Sequence, residues 1–347
     1  VPIPALGSNW HIRFDPPGVS GKCTLQKMVF SIRKSITAPS FPPPADFVPL
    51  PQASILKSKD MVMKHNPRFG DFGIYFKGSL VATGHNRLMI GYQVNNKLEW
   101  KNLCELPTII RKTQNNGLIV TTSWKDSQSA TWNLVQSFTN SRALAGFDCN
   151  TVLNCSESRG LIYCPALILL PGHNSYGSKH KQAVFSGLEY LDTQDTSSSE
   201  ADIIGSGSHR LVPDMIRVTT PLMALANDNH VISLCWHPAP NVSPIFDVPD
   251  RIFHSNSNVL GTVFPGSNGM NRDESSLIPY EHQEINAGQS LFLNSTITVT
   301  TGSDITPAVK DYVLNHPLPS IPVKLSASEF NQYISLTSAA YLSHGLT

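Results

Sequence analysis

From Phe72 almost to Thr300 the chain repeats one unit, a short run of alternating apolar and polar residues closed by a turn former, recurring at intervals of about ten residues. Phe72-Gly-Ile-Tyr-Phe76 meets Lys77-Gly78 and resumes as Leu80-Val-Ala82; Leu88 to Val94 meets Asn95-Asn96 and resumes as Leu98-Glu-Trp100. Asparagine and glycine tolerate positive φ, so these junctions read as hairpin turns. Asn115-Asn116-Gly117 precedes Leu118 to Trp124, and in Ala130 to Phe138 the residues Trp132, Leu134 and Gln136 share one face while Asn133, Val135 and Ser137 share the other. Leu291, Leu293, Ser295, Ile297 and Val299 likewise alternate with Phe292, Asn294, Thr296 and Thr298. Strands with one apolar face must close that face against something, and a long series of them has few solutions. The pattern predicts a mainly β chain, a large antiparallel β-sandwich with short C-terminal helices.

The punctuation changes at both ends. Six of the fourteen residues from Pro39 to Gln52 are proline, and proline donates no ladder hydrogen bond, so 39–56 reads as a semi-rigid linker. Upstream, Trp10 to Phe14 and Thr24 to Ile32 alternate around Asp15-Pro-Pro-Gly18, which predicts two strands of a larger sandwich module within 1–38. Residues 57–302 form the main β domain. In 303–347 the period becomes helical: Thr306-Pro307 opens one helix through Ala308, Val309, Tyr312 and Val313, and Ser326-Ala-Ser-Glu329 is a capping box leading into Phe330, Tyr333, Ile334 and Tyr341. The last segment reads as the start of a helical domain, and the Val-Pro-Ile-Pro beginning reads as that of an excised piece.

Charge narrows the function. Only 15% of the 347 residues are Asp, Glu, Lys or Arg and the formal net charge is +1, so the basic stripe required for nucleic acid is missing. The longest apolar run, Leu161 to Pro171, fits a buried strand and falls far short of the ~20 residues needed for membrane insertion. Cys23, Cys104, Cys149, Cys155, Cys164 and Cys235 contain no CxxC pair, which argues against zinc; they read as buried small hydrophobes or, alternatively, as one disulfide among Cys149, Cys155 and Cys164. No metal and no cofactor is expected, and no hydrolase, nucleotide or kinase motif occurs.

Four segments carry enough polar chemistry to be candidates. The first is Gly172-His-Asn-Ser-Tyr-Gly-Ser-Lys-His-Lys181, followed by Glu189-Tyr190: His173, Tyr176 and Glu189 offer donors, acceptors, an aromatic face and a carboxylate. The bland alternative is a solvated hairpin loop. Second, His209 and Arg210 follow Gly205-Ser-Gly207; Arg210 is either a carboxylate clamp or one half of a structural ion pair. Third, Trp236-His237 and Arg251 could stack on and hydrogen-bond a pyranose, or Trp236 is core and Asp250-Arg251 a local pair. Fourth, Asn271-Arg-Asp-Glu274 reads as a solvated charged loop, and the Ser/Thr-rich stretch Thr193 to Ser199 as a flexible one.

Gly70-Asp-Phe-Gly-Ile-Tyr-Phe76, Gly84-His-Asn-Arg-Leu-Met-Ile-Gly-Tyr92, Pro221-Leu-Met-Ala-Leu225 with Val231 to His237, and Pro279-Tyr280 leading into Leu291 to Val299 resemble the β-supersandwich domains of the galactose mutarotase-like superfamily. Arg13 to Gly18 with the strand after Lys22 resembles the closing strands of galactose-binding-like modules. The resemblance implies a multidomain carbohydrate-active protein, a saccharide or polysaccharide as partner, an extracellular or periplasmic setting, and a helical domain missing from this chain. It also implies acid–base roles for histidine and glutamate, here His173, Glu189 and His237, while the side-chain chemistry of the four segments makes Tyr176, His209, Arg210, Trp236 and Arg251 the ligand-binding candidates. Three functions then stand side by side: an accessory part of a glycosidase-, phosphorylase- or lyase-like protein, a catalytic epimerase or lyase domain, and a structural capsid, fibre or surface subunit. Saccharide binding and sugar-directed activity separate them, and the site itself requires His173, Glu189, His209, Arg210, His237 and Arg251 to converge on one concave sheet face.

Overall fold

The structure, a computed structural model, describes residues 24, 26–27, 36–67, 70–84, 89–141, 145–193, 195–197, 210–316 and 327–344. The hairpin expected within 1–38, the Gly205-Ser-Gly207 segment, His209 and the capping serine Ser326 lie outside these residues.

The chain lays down β1 (Ser54–Ser58), β2 (Met61–His65), β3 (Phe72–Phe76), β4 (Ser79–Gly84), β5 (Met89–Val94) and β6 (Lys97–Asn102) in one sheet. It then crosses to a second sheet for β7 (Thr108–Lys112), β8 (Leu118–Lys125), β9 (Thr131–Asn140) and β10 (Gly146–Cys155). It returns for the long β11 (Arg159–Pro171), and crosses again for β12 (Gln182–Phe185), β13 (Glu189–Asp192), β14 (Leu222–Ala226) and β15 (His230–Trp236). After β16 (Ser243–Asp247), β17 (Val259–Phe264) and β18 (Gln283–Ile285) in the first sheet, β19 (Ser290–Thr301) completes the second. Helices α1 (Thr306–Asn315) and α2 (Ala327–His344) follow. The expected antiparallel β-sandwich is therefore the fold. Val1–Tyr312 form one compact unit and Val313–Thr347 another. In α2 the side chains described, from Ser328 to Ala339, are all exposed.

Alternation decides which atoms enter the core. Trp132, Leu134, Gln136 and Phe138 of β9 are buried while Thr131, Asn133, Val135 and Ser137 are only partly so, as the two-residue period requires. The buried set meets the other sheet directly: Tyr92 of β5 lies 4.9 Å from Trp132 between ring centroids, and Phe72 of β3 lies 5.3 Å from Phe138, edge-on. Gln136 is accommodated because its Nε2 donates to the Ala166 carbonyl at 2.8 Å. Each large apolar side chain so buried is worth about 1.5–3 kcal/mol in removed surface.

β11 is buried almost throughout because both of its faces are covered. Leu161, Cys164, Ala166, Leu167 and Leu169 enter the core between the sheets, whereas Ile162, Tyr163, Ile168 and Leu170 join an outer cluster with Ile245, Phe253, Val263 and Leu277. Phe41 of the Pro-rich segment packs on that outer cluster together with Ile36 and Ala38 just before the segment, and Phe47 further along is 6% exposed. The segment expected as a spacer is thus anchored on the sandwich at Phe41 and Phe47. Apolar side chains between the prolines have nowhere else to leave water. On the second sheet's outer side, Ala308 and Tyr312 of α1 pack with Leu222, Ala224, Val231 and Cys235.

Cys104, Cys149, Cys155, Cys164 and Cys235 are all free, so the disulfide alternative among Cys149, Cys155 and Cys164 is not realised. Burial raises the Cys149 thiol to about 12, which makes it an inert core residue.

Candidate functional site at one end of the sandwich

The loop after β11 is folded by its two glycines. Gly172 sits at φ +89°, where its carbonyl accepts from the amides of Ser175 and Gly177, and a Cβ there would lie 1.8 Å from the Gly177 oxygen. Only glycine closes so tight a loop. The loop is also fastened from both sides: the Gly172 amide donates to Val81 of β4, and Asn174 Oδ1 accepts from the Phe47 amide at 2.7 Å while Asn174 Nδ2 donates to Asp46.

This closure directs Tyr176 toward the first residue of β15. The Tyr176 and His230 rings meet edge to face with centroids 5.2 Å apart. Tyr176 Oη and His230 Nε2 are buried and have no hydrogen-bond partner among the described residues. Both residues line a depression of about 840 Å³, together with Lys77, Asn227, Asp228 and Asn229. A second depression of about 450 Å³ shares Asn227 and Asp228 and extends past His180, Lys181 and Asp195. Lys77 Nζ donates to Thr301 Oγ1 at 2.9 Å, and Lys181 pairs with Asp228 at 3.2 Å on the surface. Burial lowers the His230 pKa, so its imidazole is neutral at pH 7 and presents one donor and one acceptor nitrogen. Burial likewise raises the Tyr176 phenol, which keeps its proton. The lining therefore combines amides, hydroxyls, a neutral imidazole and an aromatic edge with the Lys77 ammonium, the Asp228 carboxylate and the apolar Phe76, Leu80 and Val81, a mixture of donors, acceptors and apolar surface suited to a hydroxyl-rich ligand.

The sequence-predicted residues are only partly brought together. His173 and Tyr176 share the Gly172–Gly177 loop, but His173 is 5% exposed and its Nδ1 is engaged with Thr83 Oγ1 at 2.8 Å. Burial lowers its pKa against the opposing influence of Asp46 and Asp250. Glu189 lies on the edge strand β13, level with Phe185, Met223 and Leu234 by register, three strands across from β15. His237 follows the far end of β15, exposed, its amide bonded to Asn294. Seven residues of extended chain separate His237 from His230, about 23 Å at ~3.3 Å per residue. The expected acid–base trio of His173, Glu189 and His237 does not share one face.

Arg210, Trp236 and Arg251 are each engaged within the fold. Trp236 is 3% exposed and belongs to the core. Arg210 Nε donates to Glu274 at 3.1 Å, and Glu274 also pairs with Arg217 and accepts from the Asp214 amide. Arg251 holds the fully buried Asp247 with Nε and Nη2, at 2.9 and 2.5 Å, so its partner is Asp247 rather than Asp250. Asp250 instead accepts the amides of Ile252, Phe253 and Ser255. Two loops depart from expectation. In Thr193 to Ser199, Ser197 is buried, with its oxygens bonded to Arg251 Nη2 and the Val248 amide. In Asn271 to Glu274, Arg272 is 2% exposed rather than solvated, its guanidinium turned inward onto the carbonyls of Leu277 and Pro265. His230 escaped sequence reasoning because a histidine opening an apolar strand looks like any other strand-end polar residue.

The class defined by this geometry is an antiparallel two-sheet β-sandwich with a polar depression at one end. No protein-family profile and no curated protein matches the sequence. The sandwich is similar to parts of solved glycosidases and to a galactose mutarotase-like protein. The alpha-N-acetylgalactosaminidase NagBb from Bifidobacterium bifidum, in its Gal-NHAc-DNJ complex, is 12% identical, with 76% of this chain and 39% of that chain covered and a TM-score of 0.49. The galactose mutarotase-like protein from Lactobacillus casei ATCC 334 is 9% identical over 72% of this chain and 100% of that one, with a TM-score of 0.40. The alpha-galactosidase from Lactobacillus brevis is 11% identical over 72% of this chain and 40% of that one, with a TM-score of 0.39. The chain spans about two fifths of the NagBb chain it matches (39%). These are likenesses of chain path.

Proposed function

We propose that this chain is an accessory β-sandwich part of a glycan-processing protein and that it binds saccharide in the depression between Tyr176 and His230. The observation that carries this reading is the pair of buried, unpartnered polar atoms, Tyr176 Oη and His230 Nε2, at the margin of a depression to which Asn227 and Asn229 contribute amides and Ser79, Ser175, Thr301 and Ser303 hydroxyls. A sugar hydroxyl supplies both a donor and an acceptor and meets each atom, and the pyranose ring offers C–H faces to the tyrosine. The separation of His173, Glu189 and His237 supports an accessory role, since proton transfer at one sugar carbon needs acid and base within hydrogen-bond reach of it. The glycan-processing context rests on the superfamily resemblance of the Gly70–Phe76 and Gly84–Tyr92 segments. An extracellular or periplasmic setting belongs to the same reading. No helix among the described residues is long and apolar enough to cross a membrane.

The test is a glycan array followed by calorimetric titration of the positive glycans. Binding that falls at least tenfold in both Asn229→Ala and His230→Ala, with unchanged thermal stability in the exposed-loop variant Asn229→Ala, supports the reading. No binding to any neutral glycan overturns it.

A further inference from the structure

The first sheet carries a second polar cluster, on its outer face and remote from the Tyr176 depression. Register places Gly91 of β5 opposite both Trp100 of β6 and Tyr163 of β11, so these three residues form a row across the sheet. The indole lies over Gly91, where a Cβ would come within 2.7 Å of the ring, and its centroid is 6.4 Å from that of Tyr163. Phe264, the last residue of β17, is paired with Cys164 next to Tyr163, and just past it Arg272 fixes its guanidinium with Nη1 on the Leu277 carbonyl at 2.7 Å and Nη2 on the Pro265 carbonyl at 2.5 Å.

Each of the three residues keeps one donor in reserve. Trp100 Nε1, Tyr163 Oη and Arg272 Nε are buried and have no hydrogen-bond partner among the described residues. Tyr163 is fully buried and Arg272 is 2% exposed. Among the described residues no carboxylate pairs with Arg272; its fixed contacts are all neutral carbonyls. A buried guanidinium without a counter-charge is among the most costly arrangements in a protein interior, and its cost is met when an anion takes the open N–H. The burial is strong enough to lower the Arg272 pKa to about 10, and the charge still acts on the neighbouring phenol.

Phe41 packs on Tyr163, the middle of the three donors. Its ring is 5.4 Å from Tyr163 and 5.7 Å from Phe253, both edge-on, and it reaches there on the Pro-rich segment. Hydrogen bonds secure that segment at Phe47, Val48 and Leu50, whereas among the described residues 36–44 are held by the packing of Ile36, Ala38 and Phe41 without a backbone hydrogen bond. A segment held only by side-chain packing opens at lower cost than a laddered strand.

We propose that Trp100, Tyr163 and Arg272 form a carboxylate-binding site, and that Phe41 is its removable cap. Three donors, one of them cationic at neutral pH, match a carboxylate, which only accepts hydrogen bonds. The two sources of that group are a small free carboxylate and the carboxylate of a uronic acid residue. This assignment does not rest on the saccharide reading of the Tyr176 depression, since it concerns another face and another ligand class.

The experiment is a titration of the 347-residue chain at constant ionic strength with acetate, glucuronate, a galacturonate trimer and neutral galactose, followed by tryptophan fluorescence and thermal shift. Saturable binding of acetate and glucuronate is expected, with galactose silent at this site. Trimer binding tighter than acetate assigns the site to uronic acids; equal or weaker trimer binding assigns it to small carboxylates. Tyr163→Phe, which keeps the ring packing, should weaken binding about tenfold or more, the equivalent of one hydrogen bond to a charged group. Phe41→Ala should accelerate association with little effect on the fold. Arg272→Met should abolish binding, and because that variant can lose stability, Trp100→Phe provides the second arm. Absence of saturable carboxylate binding, or binding equal to wild type in both Tyr163→Phe and Trp100→Phe, overturns the proposal and leaves the three donors to ordered water only.

Discussion

Tyr176 and His230 pack edge to face, 5.2 Å between ring centroids, joining a loop that leaves the first sheet to the strand that begins in the second. This contact gives the end of the sandwich its polar depression, and it depends on the sharp loop between Gly172 and Gly177.

Gly172→Ala should therefore be costly. The substitution puts a Cβ at φ +89° and 1.8 Å from the Gly177 carbonyl, so the loop must open. Strain of this kind costs about 1–3 kcal/mol at a positive φ before any clash is counted. Urea unfolding should show a loss of at least about 2 kcal/mol, and saccharide binding should fall with it. A variant as stable as the parent would show that the loop is not tied in this way.

Stability should fall as pH drops below about 6.5, the ordinary histidine value. Burial lowers the pKa of both His173 and His230, so the unfolded chain binds protons more readily than the folded one. Their contribution is complete above the unfolded pKa and is lost as pH falls toward and through the folded values. Chemical denaturation at pH 7.5, 6.5 and 5.5 measures the slope, and His173→Gln should flatten it. An unchanged slope would mean that His173 is accessible to protons in the native state.

Arg251 is expected to act on stability and not on ligand. It faces Asp247, which is fully buried and whose pKa is raised because burial outweighs the hydrogen bonds from Arg251. Arg251→Met leaves that carboxylate without its cation, and losing one partner of a buried pair costs about 3 kcal/mol. Thermal unfolding should show the loss while glycan titration of the folded fraction stays within about twofold, which is less than about half a kcal/mol.

His237→Ala and Glu189→Gln should leave saccharide affinity and any sugar-directed activity unchanged. His237 is exposed beyond the far end of β15, and Glu189 sits on the edge strand β13. A tenfold loss in either variant would return these residues to a functional site and favour a catalytic reading of the domain.

Much of the sandwich was legible because strand burial obeys a two-residue period that a sequence displays directly. Trp132, Leu134 and Gln136 are inward in the chain's alternation and inward in β9, and the Lys77-Gly78 and Asn95-Asn96 turns connect the strands they were expected to connect. The Gly172–Lys181 segment was legible as a polar loop, and it borders both depressions. The site itself was not, since Tyr176 is completed by His230 from a strand far along the chain.

Local pattern alone thus determined that this protein is an antiparallel sandwich with little charge to spare, because alternation, turn chemistry and hydropathy act between near neighbours. Which polar groups are buried, and with what partner, only the tertiary structure decided. Arg272 reads as surface in a run of Asn, Asp and Glu, yet folding encloses it beside Tyr163; Arg251 stands next to Asp250 in sequence, yet pairs with Asp247. The free energy of a buried charge depends on everything that surrounds it in space, and that surrounding is assembled from segments that no spacing rule connects.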